Sequence, residues 1–301
     1  AILLYPMNAL VNDQLGRLRK LFADERIVAK FEEYSGRTVR FARYTSRTLY
    51  PGVRTSDKDQ RRLKSIKDFY VDLTNKAHDN TNLKQGEASD FIDELKERGK
   101  WPGKPDIVSW YGKDGSRWQN KNGQFLRCIT LPNDSELLTR YEALVNPPDI
   151  LITNYSMLEY MLMRPIEAPI FDKTREWLNN NKDENLYLIV DEAHLYRGAA
   201  GTEVAYLLRR LANRLGITEK RIQTICTSAS FNNTDTALHF ASQLTGKDIN
   251  DIEVIEGVLD ERPNADLGKE NDAEILAEIN TSDFYSVKDE NKRLEVINKF
   301  L

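Results

Sequence analysis

Short apolar runs alternate along the chain with segments in which apolar residues recur at helical spacing. The first run, Ile2–Tyr5, ends at Pro6 and is followed by helical spacing over Asn8–Ala23, which predicts a strand, a loop and a helix. Helices are also predicted between the later apolar runs. The other predicted strands are Val39–Tyr44, Asp149–Thr153, Leu186–Val190 and Ile222–Thr227.

Several of these runs are apolar on both faces, as is typical of a parallel sheet covered by helices on both sides. The predicted fold class is therefore α/β, with a doubly wound, mostly parallel sheet. Ligands of such sheets bind beyond the carboxyl ends of the strands, so the residues that follow each run are the candidates for chemistry. These residues are Pro6–Gln14, Thr45–Arg47, Asn154–Ser156, Asp191–His194 and Ser228–Ser230.

A charged stretch that becomes rich in Gly and Trp interrupts this rhythm between residues 51 and 126. We interpret it as an insertion, a helical arm followed by a small β-like element. Three tryptophans lie among six Lys and Arg residues between Arg98 and Gly123, a combination that suits stacking on unpaired bases. The alternative, which we favour, is that the tryptophans form the core of a small subdomain.

Charge and cysteine content restrict the classes of partner and compartment. A net charge of -4 and a pI near 5.6 argue against bulk electrostatic coating of nucleic acid, so any such contact must be local. No apolar run approaches the length of a bilayer span, so no membrane partner is expected. Cys128 and Cys226 have no CxxC partner, which favours a reducing, cytoplasmic location.

Two carboxylates, Asp191 and Glu192, directly follow the apolar run Leu186–Val190. Nucleotide hydrolysis needs one carboxylate to hold Mg²⁺, usually through water, and a second group to orient or deprotonate the attacking water. Alternatively, an acidic pair in this position is an ordinary helix cap. That alternative leaves His194, two residues further on, without an explanation.

The segment Leu188–His194 resembles motif II of the DEAD/DEAH-box superfamily 2 helicases. Three other segments follow the order of the family's motifs. Each could also be a simple cap or turn, but together they lie at successive strand ends. Tyr5–Gln14 resembles motif Ia, Pro147–Leu158 resembles motif Ib, and Thr227–Ser230 resembles motif III.

The resemblance implies a RecA-like first helicase lobe that uses ATP and Mg²⁺. It implies that Asp191 holds Mg²⁺ through water, that Glu192 acts on the lytic water, and that His194 belongs to the same catalytic group. The residues implied in coupling are Ser228, Ala229 and Ser230, and those implied in nucleic-acid binding are Pro6, Asn8, Gln14, Thr153 and Asn154. Ser46 stands where the family often has a glycine near the nucleic acid.

A finer resemblance, carried by Tyr196–Ala205, Leu208–Leu211 and Met157–Pro165, is to the large bacterial DNA helicases of mitomycin-repair and phage-defence systems, such as the DISARM helicase. It implies a DNA partner, either a single strand or a duplex–single-strand junction, and further subunits of a defence or repair complex. The domains expected are residues 1–50 and 127–257 as the two parts of the RecA-like lobe, 51–126 as an insertion, and 258–301 as an acidic connector or a partial second element.

The sequence has no phosphate loop of the form Gly-x-x-x-x-Gly-Lys-Ser/Thr. The nearest approach, Leu244–Asp248, lacks the leading glycine and the hydroxyl after the lysine. Since the first residues also lack an initiator Met and a signal peptide, we expect a fragment of an ATP-dependent helicase that hydrolyses little or no ATP alone. Two alternatives stay open: a nucleic-acid-binding or assembly module with an incomplete ATP site, and an RNA-remodelling helicase.

Overall fold

Six strands lie side by side in the order β3-β2-β4-β1-β5-β6, and every pair is parallel. They were identified in a computed structural model that describes residues 1–49, 56–79, 85–113, 116–231 and 233–257. The predicted parallel α/β class is thereby confirmed. The strands are β1 Ile2–Tyr5, β2 Phe41–Arg43, β3 Glu136–Leu137, β4 Ile150–Asn154, β5 Leu186–Val190 and β6 Ile222–Cys226.

Helices occupy most of the chain between the strands. The α-helices are α1 Asn8–Phe22, α2 Glu25–Ser35, α3 Ser56–Ile66, α4 Asp72–His78, α5 Gln85–Glu97, α6 Ile107–Tyr111, α7 Arg140–Val145, α8 Tyr155–Met163, α9 Ala168–Asn180, α10 Ala199–Leu215 and α11 Thr234–Thr245. A π-helical turn spans Lys67–Val71, and 3₁₀ turns span Pro165–Glu167, Ala193–Leu195, Glu219–Arg221 and Ile249–Asp251.

β1 is buried on both faces, because its alternate side chains enter two different clusters. Leu4 packs in the large cluster that contains residues of α8, α9 and α10. Leu3 and Tyr5 pack on the other face, against Val11 and Leu15 of α1. Helices therefore cover both sides of the sheet at its centre, as a doubly wound arrangement requires.

The α1 face of the sheet is open at the β5–β6 end. Tyr187 in β5 is 51% exposed and Ile225 in β6 is 45% exposed. Both lie on the same face as Ile189, which pairs with Ile225 in the ladder and packs against the α1 cluster. β6 is an edge strand of the described sheet. Helices therefore cover both faces at the centre of the sheet, as expected, but leave one face exposed at its β5–β6 end.

The insertion has the predicted helical arm, formed by α3, the π turn, α4 and α5. Its β-like element is much smaller than predicted, since the described residues contain one antiparallel bridge there, Gln119 to Phe125. Trp101, Trp110 and Trp118 are 8%, 1% and 2% exposed and share one apolar cluster. The core interpretation of these tryptophans is confirmed, and stacking on bases would require faces that are buried here.

Buried polar contacts attach the insertion to β3 and to the residues on either side of it. Lys104 Nζ lies 2.6 Å from Asp134 Oδ2 and 2.5 Å from Glu142 Oε1, and the Lys104 side chain is fully buried. Arg19 of α1 forms a bidentate pair with Glu136 of β3, at 2.8 Å for both bonds. Glu136 also accepts the backbone N–H of Gly103. Residues Ala1–Val254, including the insertion, accordingly form one compact unit.

Residues 258–301, the predicted acidic connector, lie outside the described residues. No described helix is both long enough and apolar enough to cross a membrane.

The insertion also touches α1 at a point where two glycine backbones meet. Gly99 has φ +66°, and a Cβ atom built there would lie 2.2 Å from the carbonyl oxygen of Gly16. We expect Gly99→Ala to lower the free energy of unfolding by about 1–2 kcal/mol for the left-handed backbone and by about 1–3 kcal/mol more for the clash, measured by urea denaturation.

The control for this substitution is Gly123→Ala, where φ is +77° and nothing lies within 4 Å of the added Cβ. This variant should show only the backbone cost of about 1–2 kcal/mol. Equal losses in the two variants would mean that the Gly16 contact moves aside without cost.

Candidate active site and nucleic-acid interface

Asp191 is held between the two neighbours of its strand. Its N–H donates to the Leu4 carbonyl of β1 at 3.0 Å, which extends the ladder one residue beyond β5. Its Oδ1 accepts a hydrogen bond from the hydroxyl of Thr227, the residue that follows β6. Thr227 N–H in turn donates to the Val190 carbonyl at 3.0 Å. One carboxylate oxygen is therefore oriented by a neighbouring strand end, in a half-buried position.

Glu192 has a left-handed backbone, with φ 49° and ψ 45°. For a residue with a Cβ atom this conformation costs on the order of 1–2 kcal/mol. The turn is held by Ala193, which is fully buried and donates its N–H to the Thr227 carbonyl at 2.9 Å. The side chain of Glu192 is 39% exposed, so the strained turn presents a carboxylate to solvent beside Asp191.

His194 connects the segment after β5 with the segment after β6. Its Nδ1 lies 3.3 Å from Glu192 Oε2 and 3.1 Å from Ser228 Oγ. Ser228 Oγ also accepts the N–H of Ser230 at 3.2 Å. A protonated Nδ1 donates to these oxygens, whereas an unprotonated Nδ1 accepts the serine hydroxyl. Glu192, His194, Ser228 and Ser230 thus form one contacting group, with Ala229 exposed between the two serines. Asp191 instead contacts Thr227.

The negative charge of Asp191 contributes to raised pKa values of two tyrosines, Tyr5 and Tyr196. Burial raises the pKa of Tyr5 to about 12, and the negative charge of Asp191 contributes to the increase. Burial also raises the pKa of Tyr196 well above its ordinary value, with smaller contributions from Tyr155 and Asp191. Both phenol groups therefore stay protonated at neutral pH.

The donor set at this edge fits a magnesium ion held mainly by water and phosphate. Among the described residues there is no group of three His, Cys, Asp or Glu side chains that could hold a metal. Mg²⁺ usually keeps several waters and takes one or two carboxylates from the protein. Asp191, with one oxygen fixed by Thr227, supplies a carboxylate of this kind.

Two predicted nucleic-acid residues, at the start of α1 and the end of β4, are brought together. Asn154 Nδ2 donates to Asn8 Oδ1 at 2.8 Å, and Asn154 Oδ1 caps α8 by accepting the Met157 N–H at 2.8 Å. Asn8 is the first residue of α1. The two asparagines, from the segments that resemble motifs Ia and Ib, therefore form a single polar unit that is half-buried.

Thr153 lies inside the protein and not at the surface. It is 0% exposed, and its hydroxyl donates to the Tyr44 carbonyl at 2.7 Å. Its side chain therefore fixes the residue that follows β2. Pro6 and Gln14 are half-buried, and Gln14 lies six residues along α1 from Asn8, about 9 Å of helix.

Two residues of the site were not singled out by the sequence. Thr227 belongs to the segment that resembles motif III, but its hydrogen bond to Asp191 can be predicted only when the β5–β6 register is known. Gly201 lies at the start of α10, where an added Cβ would lie 2.2 Å from the Tyr196 carbonyl oxygen. A close approach of two backbones requires glycine. The glycine within the segment Tyr196–Ala205 was therefore the one sequence signal of this contact.

Comparison with known proteins gives a family match for part of the chain. The DEAD/DEAH box helicase family matches residues 112–237. This match agrees with the motif resemblance, and the parallel α/β sheet has the RecA-like architecture that the resemblance predicted.

Among individual proteins, the chain is homologous to Druantia protein DruE of Escherichia coli (strain UMEA 4076-1). The identity is 43% over 306 residues, which cover 96% of this chain and 16% of DruE. An uncharacterized ATP-dependent helicase of Methanocaldococcus jannaschii, MJ1574, is 33% identical over 108 residues, or 36% of this chain and 14% of that protein. The chain thus spans only a small part of these relatives.

A search of solved structures gives the DUF1998 helicase MrfA, at 16% identity and a TM-score of 0.37 over 99% of this chain and 30% of that chain.

Gly201→Ala should lower the stability of the chain even though alanine is the better helix former. The added methyl group meets a backbone carbonyl, at a cost of about 1–3 kcal/mol. The control is Gly86→Ala in α5, where nothing lies within 4 Å and helix propensity alone should add up to about 1 kcal/mol. We expect calorimetry to give opposite shifts in Tm, and a raised Tm for both variants would contradict the close approach to Tyr196.

Proposed function

We propose that this chain is the first motor lobe of an ATP-dependent superfamily 2 DNA helicase or translocase that acts in DNA repair or anti-phage defence. The observation that carries the proposal is the contact of Glu192 with His194 and of His194 with Ser228. This group lies beside a carboxylate at the end of a central strand, at the sheet edge that also holds Asn8 and Asn154. The family match and the homology to DruE support ATP-dependent helicase activity in the whole protein.

In the proposed hydrolytic step, Asp191 holds Mg²⁺ through water and Glu192 orients the attacking water and accepts its proton. When bound, the ion would neutralise charge on the nucleotide phosphates. The exposure of Glu192 supports its role, since a water molecule can reach it. Thr227 keeps Asp191 in one orientation by its hydrogen bond. The phosphate loop that would hold the nucleotide is absent from this sequence.

In the proposed coupling step, His194, Ser228, Ala229 and Ser230 transmit changes at the nucleotide to the nucleic-acid side. Support comes from the contacts of His194 with residues after two different strands. The nucleic-acid side is one strand further along the sheet, because β1 lies between β5 and β4. Pro6, Asn8, Gln14 and Asn154 would contact the strand, and Thr153 would support them from inside.

A test of the hydrolytic assignment compares this chain with a longer protein that also carries a phosphate loop and a second lobe. We expect the isolated chain to release little or no phosphate from ATP, and Glu192→Gln to lower turnover of the longer protein by about 100-fold or more, since general-base catalysis contributes on that order. The control is Glu203→Gln, the same change on the exposed surface of α10.

Two results would contradict these roles. Full turnover by the Glu192→Gln variant of the longer protein would remove Glu192 from catalysis. Robust turnover by the isolated chain, abolished by Glu192→Gln, would show that the phosphates are held without a separate loop. A binding or assembly module, the alternative function, would bind nucleic acid with no turnover in either form.

A test of the nucleic-acid side uses Asn154→Asp, which keeps the oxygen that caps α8, removes the N–H donor to Asn8 and adds a negative charge. We expect weaker binding of single-stranded DNA, measured by fluorescence anisotropy, because phosphate contacts dominate affinity. Asn179→Asp, an exposed change of the same charge on α9, is the control. Competition with matched single-stranded RNA separates a DNA from an RNA motor, and equal affinities would remove the preference for DNA.

A further inference from the structure

A cleft of about 480 Å³ lies between α10 and α11, a volume within the range of pockets that hold whole small ligands. α10 contributes Thr202, Tyr206 and Arg209, which share one helix face because they are spaced by four and three residues. α11 contributes Phe240 and Gln243. The lining includes none of the residues proposed for hydrolysis, coupling or strand contact. We refer to it as the α10–α11 cleft.

The lining of the α10–α11 cleft carries positive charge and no negative charge. Arg209 and Arg197, which precedes α10, both line it, and none of the lining residues is Asp or Glu. Neither arginine forms an ion pair with the part of the chain that the structure describes. By contrast, Arg210, the next residue of α10, pairs with Glu159 at 3.2 Å. The two guanidinium groups of the cleft are therefore available to an anion, and their planar shape matches phosphate geometry.

Both arginines of the cleft are positioned by uncharged groups. Arg197 Nη2 donates to the Ser230 carbonyl at 3.4 Å, and its guanidinium carbon lies 5.1 Å from the centre of the Phe231 ring. Arg209 reaches across to the C-cap of α11, since a Cβ atom built on Gly246 would lie 3.4 Å from Arg209 Nη2. These contacts place the guanidinium groups without neutralising them, so less side-chain freedom is lost when an anion binds.

Aromatic side chains accompany the arginines. Tyr206 is 64% exposed, and Phe240 is half-buried, with its ring centre 5.1 Å from that of Phe231. Aromatic rings stack on nucleic-acid bases, whereas guanidinium groups bind phosphates. Thr202 and Gln243 add a hydroxyl and an amide that can donate or accept hydrogen bonds. The cleft therefore suits a ligand that is anionic at one end and aromatic at the other.

We propose that the α10–α11 cleft binds a nucleoside phosphate, with Arg197 and Arg209 on the phosphate and Tyr206 on the base. This second nucleotide site is separate from Asp191 and Glu192, so the inference goes beyond the proposed function. Binding there needs neither a phosphate loop nor Mg²⁺, because the guanidinium groups supply the positive charge.

The test measures binding of ADP with a fluorescent label on its ribose to the purified chain, in EDTA to remove any contribution of Mg²⁺. The variants are Arg209→Gln and Arg197→Gln, each made separately. The control is Arg210→Gln, the same change at the next position of α10, on a side chain that pairs with Glu159 and does not line the cleft. Circular dichroism and Tm of all three variants verify folding.

We expect the Kd for labelled ADP to rise about 10-fold for each cleft arginine removed, the loss typical of one hydrogen bond to a charged group. The Arg210→Gln control should bind as the unmodified chain does. Absence of saturable binding by the unmodified chain, or equal losses in the control and the cleft variants, would overturn the proposal.

Tyr206→Ala tests recognition of the nucleoside apart from the phosphate. We expect it to weaken binding of ADP about 10-fold, on the order of one base stacked on an aromatic ring, and to leave competition by pyrophosphate unchanged. No effect on ADP, or an equal effect on both ligands, would refute the assignment to a nucleoside. Displacement of the label by oligothymidylate at lower concentrations than by ADP would assign the cleft to a nucleic-acid strand and would refute it as well.

Asp191→Asn in the same assay distinguishes the cleft from the proposed hydrolytic site. Binding that is retained in Asp191→Asn and weakened in Arg209→Gln supports the cleft. The opposite result would place the nucleotide at the carboxyl edge of the sheet, which overturns the cleft proposal and leaves the hydrolytic assignment intact.

Discussion

The arrangement of this lobe depends on one short strand, β1, whose backbone must form hydrogen bonds with a neighbouring strand on each side. All four residues of β1 are buried, so each N–H and C=O needs a partner within the protein. The ladder with β4 aligns Leu4 with Thr153, and the ladder with β5 aligns Leu4 with Val190. Because the strands are parallel, their carboxyl ends then meet at one edge. A shift of one residue in either ladder would move every side chain of the shifted strand to the opposite face of the sheet.

Two groups of polar residues are positioned by this single register. On the β5 side, the Leu4 carbonyl accepts the Asp191 N–H, so the carboxylates proposed to be catalytic begin where the ladder ends. On the β4 side, Tyr5 is aligned with Asn154, which bonds to Asn8. The left-handed turn at Glu192 adds strain to this otherwise regular edge. Surrounding contacts over-determine it, as is common where strain belongs to a functional site.

The parts of the fold that depend on local apolar patterns were predictable from the sequence. β1 and β5 have the predicted bounds because each is a short apolar run with a clear end: Pro6 follows β1, and Asn185 and Asp191 flank β5. β3 was not predicted, since two residues are too few for any period. The β-like element in the insertion was overestimated: glycines and tryptophans there indicated turns and strands, but the tryptophans pack into a core around short helices.

The site was predictable only in part, for a related reason. Asp191, Glu192 and His194 are neighbours in sequence, so a local pattern reveals them. The hydrogen bond of Thr227 depends on register, and the burial of Thr153 depends on its position in the interior of the sheet. Similarly, one cleft is lined by four arginines from separate segments of the chain, Arg47, Arg62, Arg140 and Arg164. No spacing rule connects such residues, and they become a group only after folding.

The open end of the sheet has a practical consequence for work with this chain. Along its outer edge β6 offers backbone donors and acceptors without a partner among the described strands, beside the exposed side chains of Tyr187 and Ile225. An edge of this kind is a template for any extended segment with apolar residues at alternate positions, including another copy of the same strand. At high concentration two copies of the isolated lobe can pair through this edge. Light scattering at the concentrations used for titration would then show particles larger than a monomer.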